Sequence, residues 1–241
     1  MQISEENDAT KERIIDGYPV SQGKFPWMVA VQIYDNNDDQ NYSFCSGFIA
    51  DNRTIVTAGH CTHSGKKTFT VIVGSVDRVK GTEIKIKSGV SHPDFANNGV
   101  GHHDVAVLIT EEDISFNRDA KDICIEEKES SHVGANVKIM GWGKTSKSDC
   151  VSPIGESSDK LLYRQQKVDS EEKEFIYTKS NETRPCEGDS GSPLVYQGSH
   201  NNTPIAIGVL SGGTSLSMDA FTRLSTNVNF IKQHAKHARF C

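Results

Sequence analysis

The stretch C-E-G-D-S-G-S-P, from Cys186 to Pro193, sets one serine, Ser190, among glycines that let a substrate carbonyl come close to the backbone. Such a run can offer the Ser190 hydroxyl as a nucleophile and the N–H groups of Gly188 and Ser190 as donors to a developing oxyanion. Taken alone it also fits an ordinary turn, where glycine and serine crowd together. A nucleophilic serine needs a base, and the base needs an acid to orient it.

Both partners are found upstream. R-T-I-V-T-A-G-H-C, Arg53 to Cys61, is a short β-branched run ending in Ala58 and Gly59, so it reads as a buried strand that delivers His60 to a turn. H-H-D-V-A-V-L-I, His102 to Ile109, puts Asp104 directly before an apolar run, where its carboxylate can lie partly buried behind an imidazole. Each has a plainer reading, as a structural histidine or as a turn-forming aspartate. The three together are harder to dismiss.

The order histidine, aspartate, serine, in these local contexts, resembles the chymotrypsin and trypsin-like serine endopeptidases. Further matches come in the same order as in that family: F-P-W-M-V-A-V-Q (Phe25 to Gln32), F-C-S-G-F-I (Phe44 to Ile49), M-G-W-G (Met140 to Gly143) and D-A-F-T-R-L (Asp219 to Leu224). The likeness runs from Ile14 to about His237. It implies an all-β fold of two six-stranded antiparallel barrels with a C-terminal helix and a cleft between the barrels. The barrels are expected at about residues 27–115 and 130–225, and the helix at about 226–238.

The resemblance implies the following roles. Ser190 attacks the scissile carbonyl while His60 takes its proton and later returns it to the leaving amine. Asp104 holds the His60 tautomer, Ser211 hydrogen-bonds Asp104, and Gly212 and Gly213 pair with the substrate backbone as an added strand. R-I-I-D-G at Arg13 to Gly17 is similar to the family's activation site, so residues 1–13 read as a propeptide and 14–241 as the peptidase domain. Cleavage after Arg13 would free the α-ammonium of Ile14 to pair with Asp189, since a buried ammonium needs a carboxylate.

Composition is compatible with this picture. The 241 residues can bury a sizeable core, and short strands between polar turn clusters favour β-barrels over βαβ units. Val228, Ile231, Ala235 and Ala238 recur at helical spacing near the C-terminus. A net charge of -6, with no basic stripe, argues against a nucleic-acid partner. No run is long and apolar enough for a membrane span. M-Q-I-S-E-E-N-D lacks the apolar region of a signal peptide, so a signal is expected to have been removed.

Six cysteines and four N-x-S/T sequons, at Asn41, Asn52, Asn181 and Asn201, point to a secreted, extracellular protein. The resemblance pairs Cys45 with Cys61. Val137 and Tyr196 stand where many relatives carry a disulfide, and the remaining four cysteines allow three connectivities. The favoured one joins Cys150 to Cys186 and Cys124 to Cys241.

Specificity is less settled by the resemblance. Arg184 occupies the pocket-floor position at which trypsin-like members carry an aspartate, and Asp219 falls on a second pocket-lining position. An Arg184–Asp219 ion pair would narrow the pocket and favour small or medium apolar residues, whereas an unpaired Arg184 would favour acidic ones. Arg184 pointing to solvent remains a third arrangement. Glu187 reads as a rim residue that repels acidic side chains.

No metal or cofactor is expected. His92, His102 and His103 with Asp94 and Asp104 show no ligand-like helix spacing, Asp104 has the stronger assignment beside His60, and Ser75 follows Gly74 where calcium-binding relatives carry a glutamate. The expected partners are protein or peptide substrates, an activating trypsin-like protease and protein inhibitors, with the enzyme itself a monomer. The rival reading is a catalytically silent relative that binds a partner through its loops.

Overall fold

The computed structural model describes residues 17–35, 38–63, 67–95, 101–144, 157–179, 186–198, 203–213 and 218–241. Its β-branched and apolar runs form strands wherever turn residues interrupt them. A two-residue strand, β1 (Tyr18–Pro19), precedes β2 (Met28–Asp35), β3 (Asp38–Asp51), β4 (Thr54–Thr57), β5 (Lys67–Val73), β6 (Thr82–Ser91) and β7 (Ala106–Thr110). These six strands close in the order β2-β3-β4-β7-β6-β5, antiparallel throughout.

The second half contributes β8 (Cys124–Ile125), β9 (Asn136–Gly141), β10 (Leu162–Glu171), β11 (Phe175–Lys179), β12 (Pro193–Gln197), β13 (Pro204–Gly213) and β14 (Met218–Arg223). The ring β9-β10-β11-β14-β13-β12 closes where β12 meets β9. β1 adds antiparallel to β10, and β8 adds parallel to β13. The molecule is therefore all-β, with two closed six-stranded barrels. Among the described residues, closure pairs every barrel strand with a neighbour on either side.

Inward positions are filled by side chains such as Val31, Phe48, Ile55 and Leu108 in the first barrel and Ile176, Ile207, Leu210 and Phe221 in the second. Val137 and Tyr196 are direct register partners across β9 and β12. Trp142 is buried, and its indole N–H donates to the Val76 carbonyl at 2.9 Å, joining the segment after β9 to the loop after β5.

The terminal helix is shorter than the apolar spacing predicts. Besides the short α1 (Gly59–Thr62), a 3₁₀ turn (Ser225–Asn227) leads into α2 (Val228–His234), and Ala235 already leaves helical geometry at φ -100, ψ 74. The chain turns there to bring Phe240 beside Ile125 and to let Cys241 bridge Cys124. Ala238 packs on the core from this irregular segment, so its spacing reports burial without a helix.

Candidate active site

All four residues of β4 are buried, and the strand runs through Ala58 and Gly59 into α1, which carries His60. The Cys45–Cys61 disulfide pins α1 to β3. Asp104 arrives from the other direction, two residues before β7, and is almost wholly buried. Its neighbour His103 has a left-handed backbone (φ 56), the one non-glycine residue to do so among those described. A Cβ on Gly59 would sit 3.1 Å from Asp104 Oδ1, so the glycine lets helix and carboxylate close together.

Three donors converge on the Asp104 carboxylate. The His60 backbone N–H donates to Oδ1 at 2.8 Å, His60 Nδ1 lies 2.8 Å from Oδ2, and the Ser211 hydroxyl donates to Oδ2 at 2.5 Å. Because an ionised carboxylate only accepts, Nδ1 carries the proton and Nε2 is left as the basic nitrogen. His60 remains about one-third exposed, so the ring is held at one edge and open at the other.

Ser190 sits on a turn whose backbone demands glycine on both sides. Gly188 has φ +98 and Gly191 φ +86, and a Cβ on either would collide, with Phe44 at 2.4 Å or with the Ser46 carbonyl at 2.2 Å. The turn is tied to the first barrel by Ser46 N–H to Ser190 O (2.8 Å) and Ser46 Oγ to Gly188 O (2.9 Å). Gly191 N–H to Leu210 O (3.0 Å) ties it to the second. Asp189, Gly191 and Ser192 N–H groups all find backbone acceptors, whereas those of Gly188 and Ser190 donate to nothing among the described residues. Two such donors beside a serine hydroxyl are suited to a developing oxyanion. The Ser190 hydroxyl makes no direct hydrogen bond to His60 among the described residues, a looseness common in sites without substrate.

Asp189 is buried under this turn. It accepts from Gly143 N–H at 2.8 Å and from Cys186 N–H at 3.0 Å. Burial pushes its carboxyl up to about 6, against the opposing pull of these two donors and of Arg164. Space for it exists because Gly141 and Gly143 lack side chains: a Cβ there would lie 2.1 and 2.3 Å from its oxygens.

Gly212 and Gly213 end β13 and pair with Ala220 and Asp219 of β14. Asp219 is fully buried, and Arg164 of β10 pairs with it, with Nη2 3.1 Å from Oδ2. The sequence reading offered Arg184, which lies outside the described residues, as one candidate partner of Asp219 and overlooked Arg164. A signal was present: in L-Y-R-Q-Q-K-V, Arg164 shares inward parity with Leu162 and Val168, and a charge at such a position requires a counter-charge. Glu187 is 69% exposed and forms an ion pair with Lys144, which is 5% exposed.

Cys124–Cys241 is a disulfide, and Cys186 is also disulfide-bonded. Asn52 is half-buried in the turn between β3 and β4. Arg13, Ile14, Cys150, Asn181, Arg184 and Asn201, and the side chain of Asn41, lie outside the described residues. Among the described residues, the one grouping of three potential metal ligands is Cys45, His60 and Cys61, whose two sulfurs are bonded to each other. They therefore offer no thiolate. No helix among the described residues is long and apolar enough to cross a membrane.

Comparison with known proteins agrees with this architecture. The phenoloxidase-activating factor 3 of Holotrichia diomphalia is 25% identical over 93% of this chain and 73% of that protein. The clotting factor G beta subunit of Tachypleus tridentatus is 26% identical over 92% and 79%. The venom protease of Bombus pensylvanicus is 26% identical over 89% and 94%. A solved structure of HL collagenase superposes with a TM-score of 0.78, covering 92% of this chain and 98% of that one at 23% identity, a likeness of fold. The trypsin family profile matches residues 14–232, nearly the whole described molecule, and the chain thus belongs to the trypsin family of serine proteases.

Proposed function

We infer that this chain is the precursor of a secreted serine endopeptidase that hydrolyses peptide bonds through an acyl-enzyme. The observation that carries the reading is the Asp104 carboxylate: it holds His60 by its backbone at Oδ1 and by its ring at Oδ2, and Ser211 donates to Oδ2 as well. The N–H groups of Gly188 and of Ser190 itself have no acceptor among the described residues. A silent relative would not need the imidazole held in one tautomer.

In this mechanism Ser190 Oγ attacks the scissile carbonyl and its proton passes to His60 Nε2. The carbonyl oxygen gains negative charge, which the Gly188 and Ser190 N–H groups stabilise, and Asp104 stabilises the imidazolium. The C–N bond then breaks as His60 returns the proton to the leaving amine. Water, deprotonated by His60, attacks the acyl carbonyl, and the acid product leaves with Ser190 restored.

Activation is assigned to cleavage after Arg13, which frees the Ile14 ammonium for Asp189. The support is a buried carboxyl whose ionisation is disfavoured and which a cation would relieve. Export is supported by the disulfides, which persist in oxidising compartments. The substrate side chain next to the scissile bond is assigned to a pocket lined by Asp219 and Arg184, with Glu187 at its rim, which disfavours simple trypsin-like cleavage after lysine or arginine.

The test is to treat the protein with a trypsin-like protease, verify a new terminus at Ile14, and measure peptide-library cleavage and labelling by a serine-directed fluorophosphonate, with Ser190→Ala as control. Labelling and cleavage lost in the control are expected. A matured wild type that neither labels nor cuts would establish the alternative, a binding module.

A further inference from the structure

We propose that Arg164 is a specificity-determining positioning residue: its buried guanidinium draws the Asp219 carboxylate into the second barrel and balances it, so that the pair sets the charge a substrate side chain meets. The inference rests on the endopeptidase reading and on its assignment of Asp219 to the pocket wall.

The arrangement is built from three strands. Arg164 enters from β10 with its side chain about 6% exposed, and Asp219 enters from β14 with none. Gln166, two residues along β10, donates to the same Asp219 oxygen at 3.3 Å. Thr178 of β11, the register partner of Asp219, donates to Gln166 Oε1 at 2.5 Å and keeps that amide turned toward the carboxylate. Asp219 in turn pairs with Gly213, at the end of the strand expected to bind the substrate backbone.

The same guanidinium serves a second carboxylate. Leu162 is the partner of Gly141 across β10 and β9, and Arg164 is the partner of Ile139, two residues further along the same face. The Asp189 carboxylate fills that face at Gly141, which puts Arg164 diagonally across the ladder from it. Attraction by both Asp219 and Asp189 opposes the downward pull of burial on the guanidinium. Arg164 Nη1 makes no hydrogen bond among the described residues, so part of its charge is not consumed by direct pairing.

An ionised carboxylate in such a setting is costly without a cation. If Arg164 is removed, Asp219 gains most from whatever positive group can reach it, and the substrate side chain is the mobile one. If Asp219 is removed, Arg164 in turn attracts a negative one.

The experiment compares matured wild type, Arg164→Met, Asp219→Asn and the double variant on peptides that differ only in carrying lysine or glutamate before the scissile bond. Enzyme concentration is set by fluorophosphonate titration. The readout is the lysine-to-glutamate ratio of kcat/KM, which cancels losses of folded enzyme; its change relative to wild type also cancels any contribution from charges common to all four proteins. The ratio is expected to rise about tenfold in Arg164→Met, fall about tenfold in Asp219→Asn and return to near wild type in the double variant. If Arg164→Met does not fold, Asp219→Asn and the charge-free double variant still decide.

Ratios that stay at the wild-type value in the single variants, or a double variant that stays shifted, would overturn the inference while labelling by the probe upholds the endopeptidase reading. A wild type that takes up no probe overturns both.

Discussion

Asp189 occupies the space that a side chain on Gly143 would need. A Cβ there would meet Oδ2 at 2.3 Å, and the Gly143 N–H itself donates to Oδ1 at 2.8 Å. The segment after β9 is thus both the wall and a donor for the carboxylate beneath the serine turn.

Gly143→Ala should therefore act on chemistry more than on substrate binding. Pushing Asp189 aside misplaces the Gly188 and Ser190 N–H groups, and losing one such donor is worth about 10²–10³ in rate. The expected result is a fall in kcat of at least about a hundredfold with KM little changed, measured on protease-matured enzyme. An alanine variant with wild-type kcat would refute the coupling.

The uncleaved chain should become less stable as pH rises through the Asp189 titration. Its carboxyl is raised from 3.8 to about 6 by burial, so between these values the folded state holds a proton that the unfolded state has released. This contribution is fully present below 3.8 and is lost as pH rises through about 6. Urea unfolding of wild type and Asp189→Asn from pH 4 to 8 isolates it: the stability difference should move in favour of the asparagine variant as pH increases. A flat difference would count against a buried, unrelieved carboxyl.

Ser211→Ala removes one of three donors to Asp104 and leaves both His60 contacts in place. A hydrogen bond to a charged group is worth about 1.5–3 kcal/mol, so kcat/KM should fall by about ten- to a hundredfold, far short of the loss from Ser190→Ala. Steady-state kinetics at pH 8 check this. Equal losses in the two variants would mean that Ser211 does more than orient the acid.

His92 and His103 stack with ring centroids 4.3 Å apart and planes 10° apart. Burial, and then repulsion from His103, lower the His92 pKa, while Asp94 and Glu174 act in the opposite sense. The folded state thus resists protonation more than the unfolded state. The stability this brings is present above about pH 6.5 and is lost as pH falls through the lowered value. His92→Phe, which keeps an aromatic face and removes the charge, should lose less thermal stability between pH 7.5 and 5 than wild type in melting curves.

The elements that carry the site were legible because short-range chemistry writes them. Glycines around Ser190 are forced by close approach, β-branched residues before His60 make a buried strand, and an acid before an apolar run marks Asp104. The short runs between polar turn clusters likewise announce an all-β molecule. Less legible was anything that depends on which strands become neighbours. Arg164 and Asp219 are separated by 55 positions, and only closure of β10 and β11 against β14 brings them together. Gly141 and Gly143 look like ordinary turn glycines until Asp189 is seen between them. The helix was over-extended because Ala235 and Ala238 are apolar to pack on the core, which the irregular segment after His234 achieves without helical geometry.

The serine turn is fastened at both ends of a joint. Ser46 of the first barrel holds Ser190 and Gly188, Leu210 of the second holds Gly191, and Ser211 reaches across to Asp104. The alignment of Ser190, His60 and Asp104 is therefore a gauge of how the two barrels are seated on each other. On heating, hydrolysis should stop when that seating loosens, with each barrel's own β-structure still intact, so inactivation precedes melting.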